Sequence, residues 1–344
     1  METRKLQEVG GGTYTVSIPK EWATTHGFEA GTAVNLYTHL DGSVVVRSRE
    51  KDGGELDAVR IDTSGQGIDR VRRRVEAALA VGFETVTLVR EESFTVDERR
   101  AVDSLVRGLV GTEVVGEGDE RITVRNLLDA SDVSVRQSVV QLQFVALAMH
   151  RRATASLAGG ETETEGAYEQ LCERETEAER LFRMVARQFS RALVSLEEID
   201  RLGLTRPELF DYYETARHLR GVATESVETA RAATRLSAPL PDERAAELAE
   251  IATATRTVVE DASNAILGGR DARAIHRMFE RHREIHDDID RFDEALTDAS
   301  APSFAGSVGD AVTMARVLDS HARTLEHGGR IADVAVRAVT RSEA

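Results

Sequence analysis

Cysteine is almost absent. A single one, Cys172, excludes an internal disulfide and any zinc centre built on cysteine pairs. Its expected role is that of a small buried apolar side chain. Proline is scarce too, 5 in 344 residues, and aromatic residues make up only 5%. Both shortages argue against a β-sandwich and against a Pro-rich disordered chain. Long apolar runs are missing. The most apolar stretch, Val139–Met149, carries two glutamines and is too short to span a bilayer. The first residues, METRKLQEVGGG, lack the apolar run of a signal peptide. A soluble, cytoplasmic chain with no membrane insertion is expected. Neither GxxxxGK[ST] nor GxGxxG occurs, so nucleotide binding has no support. HExxH and Glu-x-x-His are absent as well, which leaves a metalloprotease or a di-iron bundle without its ligand pattern. The chain is not expected to be an enzyme.

Lysine is the other shortage. Only Lys5, Lys20 and Lys51 occur among 44 basic residues, while acids number 60, for a net charge of −16. Such a balance speaks against a generally basic nucleic-acid coat protein. An acidic, lysine-poor composition is expected of a halophilic cytosolic protein, whose carboxylates hold water in concentrated salt. All three lysines fall within residues 1–51, where six bases balance six acids. A locally neutral module in an acidic chain is a candidate for touching a polyanion.

Hydrophobic residues at 41% are enough for a buried core, and the length calls for several domains. Four are expected: 1–51, 55–128, 130–236 and 242–341. In the first, Thr13–Ile18 alternates as a half-buried strand. Pro19 fits the first position of a short helix over Lys20–His26, with Ser17 or Thr15 as cap. Strands follow at Ala33–Thr38 and Ser43–Ser48. Asp41-Gly42 joins them as a two-residue turn with both positions at positive φ. Arg4 and Lys5 are expected on a preceding strand. So short a β unit buries little surface alone, and two copies sharing one core as a homodimer would match the two-fold symmetry of an operator.

Residues 55–128 alternate short β-like runs (Ala58–Ile61, Thr85–Val89, Glu113–Val115, Ile122–Val124) with helical ones (Gly67–Ala80, Val96–Val110), a small α/β unit. From Asp132 onward six long helices are expected, at 132–158, 167–198, 206–236, 242–267, 271–298 and 304–341. They form two sets of three. Each set has a Gly-Gly turn after its first helix, at Gly159-Gly160 and Gly268-Gly269, which suggests a duplicated three-helix bundle.

The second helix of each set carries carboxylates at helical spacing. Glu175 aligns with Glu179 and Glu173 with Glu177; farther on, Glu284 aligns with Asp288 and His286 with Asp290. Facing carboxylates repel, and either a hard cation or an arginine relieves the repulsion. The alternative is a solvated acidic face with arginines such as Arg174 and Arg180 interleaved.

Two resemblances add to this. The run Gly12-Thr-Tyr-Thr-Val-Ser-Ile-Pro-Lys-Glu-Trp22, then Gly27-Phe-Glu-Ala-Gly31, then Asp41-Gly-Ser-Val-Val-Val-Arg47, resembles the swapped-hairpin AbrB/SpoVT family. That likeness implies a dimeric DNA-binding fold with Arg4, Lys5, Lys20 and Arg47 facing the duplex. The Glu-Arg-Glu-x-Glu-x-Glu-Arg-Leu-Phe run in the first set and Leu318-Asp-Ser-His-Ala-Arg-Thr-Leu-Glu-His-Gly-Gly-Arg-Ile-Ala-Asp333 resemble the PhoU family. The order of head, α/β spacer and helical body looks like archaeal phosphate-uptake regulators. The resemblance implies a multidomain fold whose body is two three-helix bundles. It also implies docking on phosphate ABC transporter components or a signalling kinase, and a divalent metal or iron in the bundles. Glu175 and Glu179 match the first metal motif, while His286, Asp287 and Asp290 match the second loosely. The third helices depart from the pattern. Arg220-Gly-Val-Ala-Thr224 and Ala322-Arg-Thr-Leu-Glu326 keep one acid, Glu326, where the family has four, and Arg220 could stand in for an ion beside Glu175 or Glu179.

Overall fold

The structure, a computed structural model, describes residues 3–39, 41–47, 56–128, 134–158, 161–237, 239–268, 272–297 and 308–343. Both Gly-Gly turns fall partly or wholly outside these residues, as do Arg49 and Lys51. The chain divides into two compact units, Met1–Asp52 and Gly53–Ala344.

The first unit pairs β1 (Gln7–Val9) with β2 (Thr13–Thr15), antiparallel, Gln7 opposite Thr15. Helix α1 (Lys20–Thr25) follows, and then β3 (Asn35–Thr38) pairs with β4 (Val44–Arg47), Asn35 opposite Arg47. Several local expectations are corrected. The strand that was expected over Thr13–Ile18 ends at Thr15. Arg4 and Lys5 precede β1 rather than lying on it. Pro19 is the N-cap of α1 and not its first residue, and no side chain bonds to the cap, so neither Ser17 nor Thr15 serves there. In the β3–β4 turn the Ser43 carbonyl accepts from the His39 amide, so the loop between them is longer than the two residues expected. Only Gly42 has a positive φ; Asp41 instead accepts a hydrogen bond from the Ser43 amide at 2.8 Å. One glycine in the left-handed region is what a three-residue hairpin loop needs.

The second unit opens with a four-stranded sheet. Its strands are β5 (Ala58–Asp62), β6 (Thr85–Val89), β7 (Thr112–Glu117) and β8 (Arg121–Asn126), in the order β5-β6-β8-β7. β5 and β6 are parallel, joined through α2 (Ile68–Val81); the other pairs are antiparallel. A parallel pair needs such a crossover helix. Helix α3 (Val96–Arg107) starts at a capping box, with Thr95 and Glu98 bonded reciprocally. Val71, Val75, Val86, Leu88, Val102, Ile122 and Val124 form the core between sheet and helices.

The rest is helical: α4 (Val135–Ser156), α5 (Glu161–Ala192), α6 (Leu196–Leu202), α7 (Arg206–Ala233), α8 (Asp242–Leu267), α9 (Ala272–Thr297) and α10 (Val308–Ser342). The helix expected at 167–198 is two. The break comes where Ser195 caps α6 by accepting from the Glu198 amide. α4, α5 and α7 pack as one three-helix bundle and α8, α9 and α10 as another. The bundles join along α7 with α10 and α4 with α8, first helix to first and third to third. One apolar cluster runs through that seam, from Leu142, Met149 and Leu219 to Val259, Ile331 and Ala335. The chain is thus multidomain: a small antiparallel β head, an α/β segment, and a body of two three-helix bundles. Cys172 is half-buried against the first bundle's core.

Candidate nucleic-acid interface and the polar interior of the body

In the first unit, Lys5 lies two residues before Gln7, and Lys20 opens α1 beyond Thr15. Because Gln7 pairs with Thr15, both lysines leave the same end of the β1–β2 ladder. Arg4 stands beside Lys5. Arg4, Lys5 and Lys20 are exposed, and neither lysine makes an ion pair among the described residues. Arg47 is half-buried at the open end of the other ladder, away from the turn. The unit has little interior. Among its described residues only His39 is buried, whereas Leu6, Tyr14 and Leu36 are each 68% exposed. Val9, Val16, Ile18, Trp22, Val34 and Val44 are exposed as well. Trp22 stacks on His26 at 4.6 Å and on Phe28 at 5.4 Å between ring centres. An apolar surface this dense on so small a unit calls for a cover.

In the body, Glu175, Glu179 and Glu326 of the expected metal ligands are bonded to other side chains, and His286 and Asp290 meet each other. Glu179 takes Arg220 Nε at 2.5 Å and Arg183 Nε at 2.8 Å. Glu175 accepts from the Thr224 hydroxyl at 3.0 Å. Arg220 therefore stands beside Glu179, and its guanidinium also lies over the Phe182 ring, 5.1 Å from the centroid. On α9, His286 Nδ1 sits 3.2 Å from Asp290 Oδ2 with both side chains exposed, and Asp287 is exposed beside them. Glu284 and Asp288, expected as a facing pair, are bridged separately to Arg281 and Arg291. Glu326 on α10 is exposed and bonded to Arg330 at 3.3 Å. Among the described residues, no group of three or more His, Cys, Asp or Glu side chains is placed to hold a metal ion. The six residues do not converge. The carboxylate repulsion is relieved by arginine, and the donor set does not fit a hard cation.

Sequence reasoning missed the arginine face of α5. Arg180 Nε donates to the Gly108 carbonyl at 3.1 Å, at the end of α3. Arg187 donates to Leu79 and Phe83 carbonyls at 2.9 and 3.0 Å, and Arg191 to Gly82 at 2.9 Å, all at the end of α2. Cations are favourable at helix C-termini, where carbonyls lack intrahelical partners. Arg187 is desolvated there, which pulls its guanidinium down to about 10. Arg191 is also bonded to Glu84 and Glu198. The 3- and 4-residue spacing of Arg180, Arg183, Arg187 and Arg191 along one helical face was the available signal.

Also missed were histidines in the body's interior. His150 Nε2 on α4 lies 3.1 Å from His321 Nδ1 on α10, both fully buried. Desolvation holds His150 well below its ordinary value and brings His321 down to about 4. His218 and His327 meet at 3.1 Å between α7 and α10, and burial brings His218 to about 4. Gly221 makes that second pair possible, since a Cβ there would lie 2.3 Å from His327 Nε2.

Residues 7–54 match the family described as "Antidote-toxin recognition MazE, bacterial antitoxin". An antitoxin-type domain therefore stands at the N-terminus. Among solved structures, PhoU from Pseudomonas aeruginosa is similar, with a TM-score of 0.49 and 16% sequence identity, over 60% of this chain and 95% of that one. No curated protein matches the chain. Among the described residues, no helix is long and apolar enough to cross a membrane.

Proposed function

We propose that this chain is a regulator of phosphate uptake. It binds DNA through the head, as a homodimer, and docks transporter components or a signalling kinase through its helical body. The observation that carries the DNA reading is the antitoxin-type match over residues 7–54, which contains exposed Lys20 and starts two residues after exposed Lys5, in a chain that otherwise uses arginine and is strongly acidic. The phosphate link rests on the sequence motifs in α5 and α10 and on the domain order. The residues assigned to the duplex are Arg4, Lys5 and Lys20, with Arg47 at the margin. The body's role is to sense state or partner and to alter the spacing of the paired heads. A gel shift with duplex from upstream of the chain's own gene tests the assignment. Lys20→Ala and Arg4→Ala should each weaken the shift; a double variant that shifts DNA like the unaltered chain would refute it.

A second reading is favoured by the exposed apolar side chains of the head and by the recognition of a protein in the matched family's description. There the head only dimerises or grips a protein, and the chain is an adaptor for the transporter or kinase. Partner capture by the intact chain, with no DNA retained, is its signature.

A further inference from the structure

A cavity of about 200 Å³ opens between the last two turns of α4 and the first half of α8, with Leu240 at its edge. Arg151 and Arg256 both line it, and no carboxylate does. Neither guanidinium makes an ion pair among the described residues. Arg256 donates one N–H to Thr253 Oγ1 at 2.7 Å, which leaves its other donors and the Thr253 hydroxyl proton available. Some arginines of the body sit against acids, as Arg220 and Arg183 do on Glu179 and Arg323 on Glu225, and others, such as Arg180 and Arg187, against helix-end carbonyls. Burial, and then the neighbouring charge of Arg151, hold Arg256 below its ordinary value against the opposing pull of Glu260. Two guanidiniums thus line one cavity that has no carboxylate among its lining residues.

We propose that this cavity binds a small oxyanion of the phosphate type, held by the Arg151 and Arg256 guanidiniums and the Thr253 hydroxyl. Guanidinium forks match tetrahedral oxyanions in a bidentate way that a lysine cannot. The volume lies below the roughly 300–1,000 Å³ of pockets for drug-sized ligands, which suits a free ion or the head of a phosphomonoester. The site depends only on its own lining and not on the head binding DNA.

Isothermal titration calorimetry of the intact chain, with inorganic phosphate in one arm and phosphoserine in the other, tests it. Saturable binding at one site per chain is expected in at least one arm; the arm that binds tells free ion from monoester. Arg256→Gln and Arg151→Gln should each weaken binding at least tenfold. Arg256→Lys, which keeps the charge but loses the fork, should fall between. Arg152→Gln, at an exposed position outside the cavity, should leave the affinity unchanged. The proposal is overturned if neither arm saturates, or if an Arg151→Gln/Arg256→Gln protein with unaltered circular dichroism binds as tightly as the parent.

Discussion

At neutral pH the rings of His150 and His321 are both uncharged, and one shared hydrogen bond is all that binds them. His150 Nδ1 and His321 Nε2 have no partner among the described residues. Burying a polar ring so sparsely bonded is tolerable only while it stays neutral. Both folded values lie below the ordinary 6.5, so the unfolded chain takes up these protons first. Stability is full above about pH 6.5 and is lost as pH falls toward the folded values, at about 1.4 kcal/mol per pH unit for each ring. His218, lowered to about 4, adds to the same slope. The denaturant midpoint should fall between pH 6.5 and 5, before carboxylates begin to titrate. His150→Leu/His321→Leu should flatten that fall, because its rings no longer gain protons on unfolding; an equally steep fall in this variant would contradict the account.

Helix α5 does two jobs. One face packs the first bundle through Leu171, Ala178 and Val185, and another carries the arginines that close the ends of α2 and α3. Arg187→Gln and Arg191→Gln each replace a charged donor at buried carbonyls, which costs about 1–3 kcal/mol. Hydrogen exchange should quicken first in the last turn of α2, while the α8–α10 bundle keeps its protection; uniform loss across the body would argue against a local role. Elements of this kind divide by how local their cause is. The helix at 206–236 is legible because its period, its capping box and a proline in its first turn are local, and that at 242–267 because its period follows directly on Pro241. β1 is too short, at three residues, to show a period. The end of α5 at Ala192 depends on a Ser195 cap hidden inside a continuous helical pattern. The arginine contacts, the two histidine pairs and the Arg151–Arg256 cavity join residues far apart in sequence, and nothing local announces them. The carboxylate spacing on α5 was visible, and so was Arg220 as a stand-in for an ion; that both Arg220 and Arg183 meet on Glu179 was not.

Across the whole molecule, the two units differ in what completes them. Gly53–Ala344 carries three apolar clusters of its own. Among its described residues Met1–Asp52 has almost no interior and many exposed apolar side chains, so its fold is expected to be finished by a second copy. Two copies place four exposed lysines, Lys5 and Lys20 twice over, on one assembly. The remaining chain carries the negative charge and would repel a duplex on its own. The central claim is that these paired lysines touch the DNA. Fluorescence anisotropy of a labelled duplex, titrated at several salt concentrations with the unaltered chain and with Lys5→Ala/Lys20→Ala, tests it most directly. Two chains should bind per duplex. The variant's plot of log affinity against log salt should be shallower by about 0.9 for each phosphate that is no longer neutralised. Unchanged affinity together with an unchanged slope would contradict the claim.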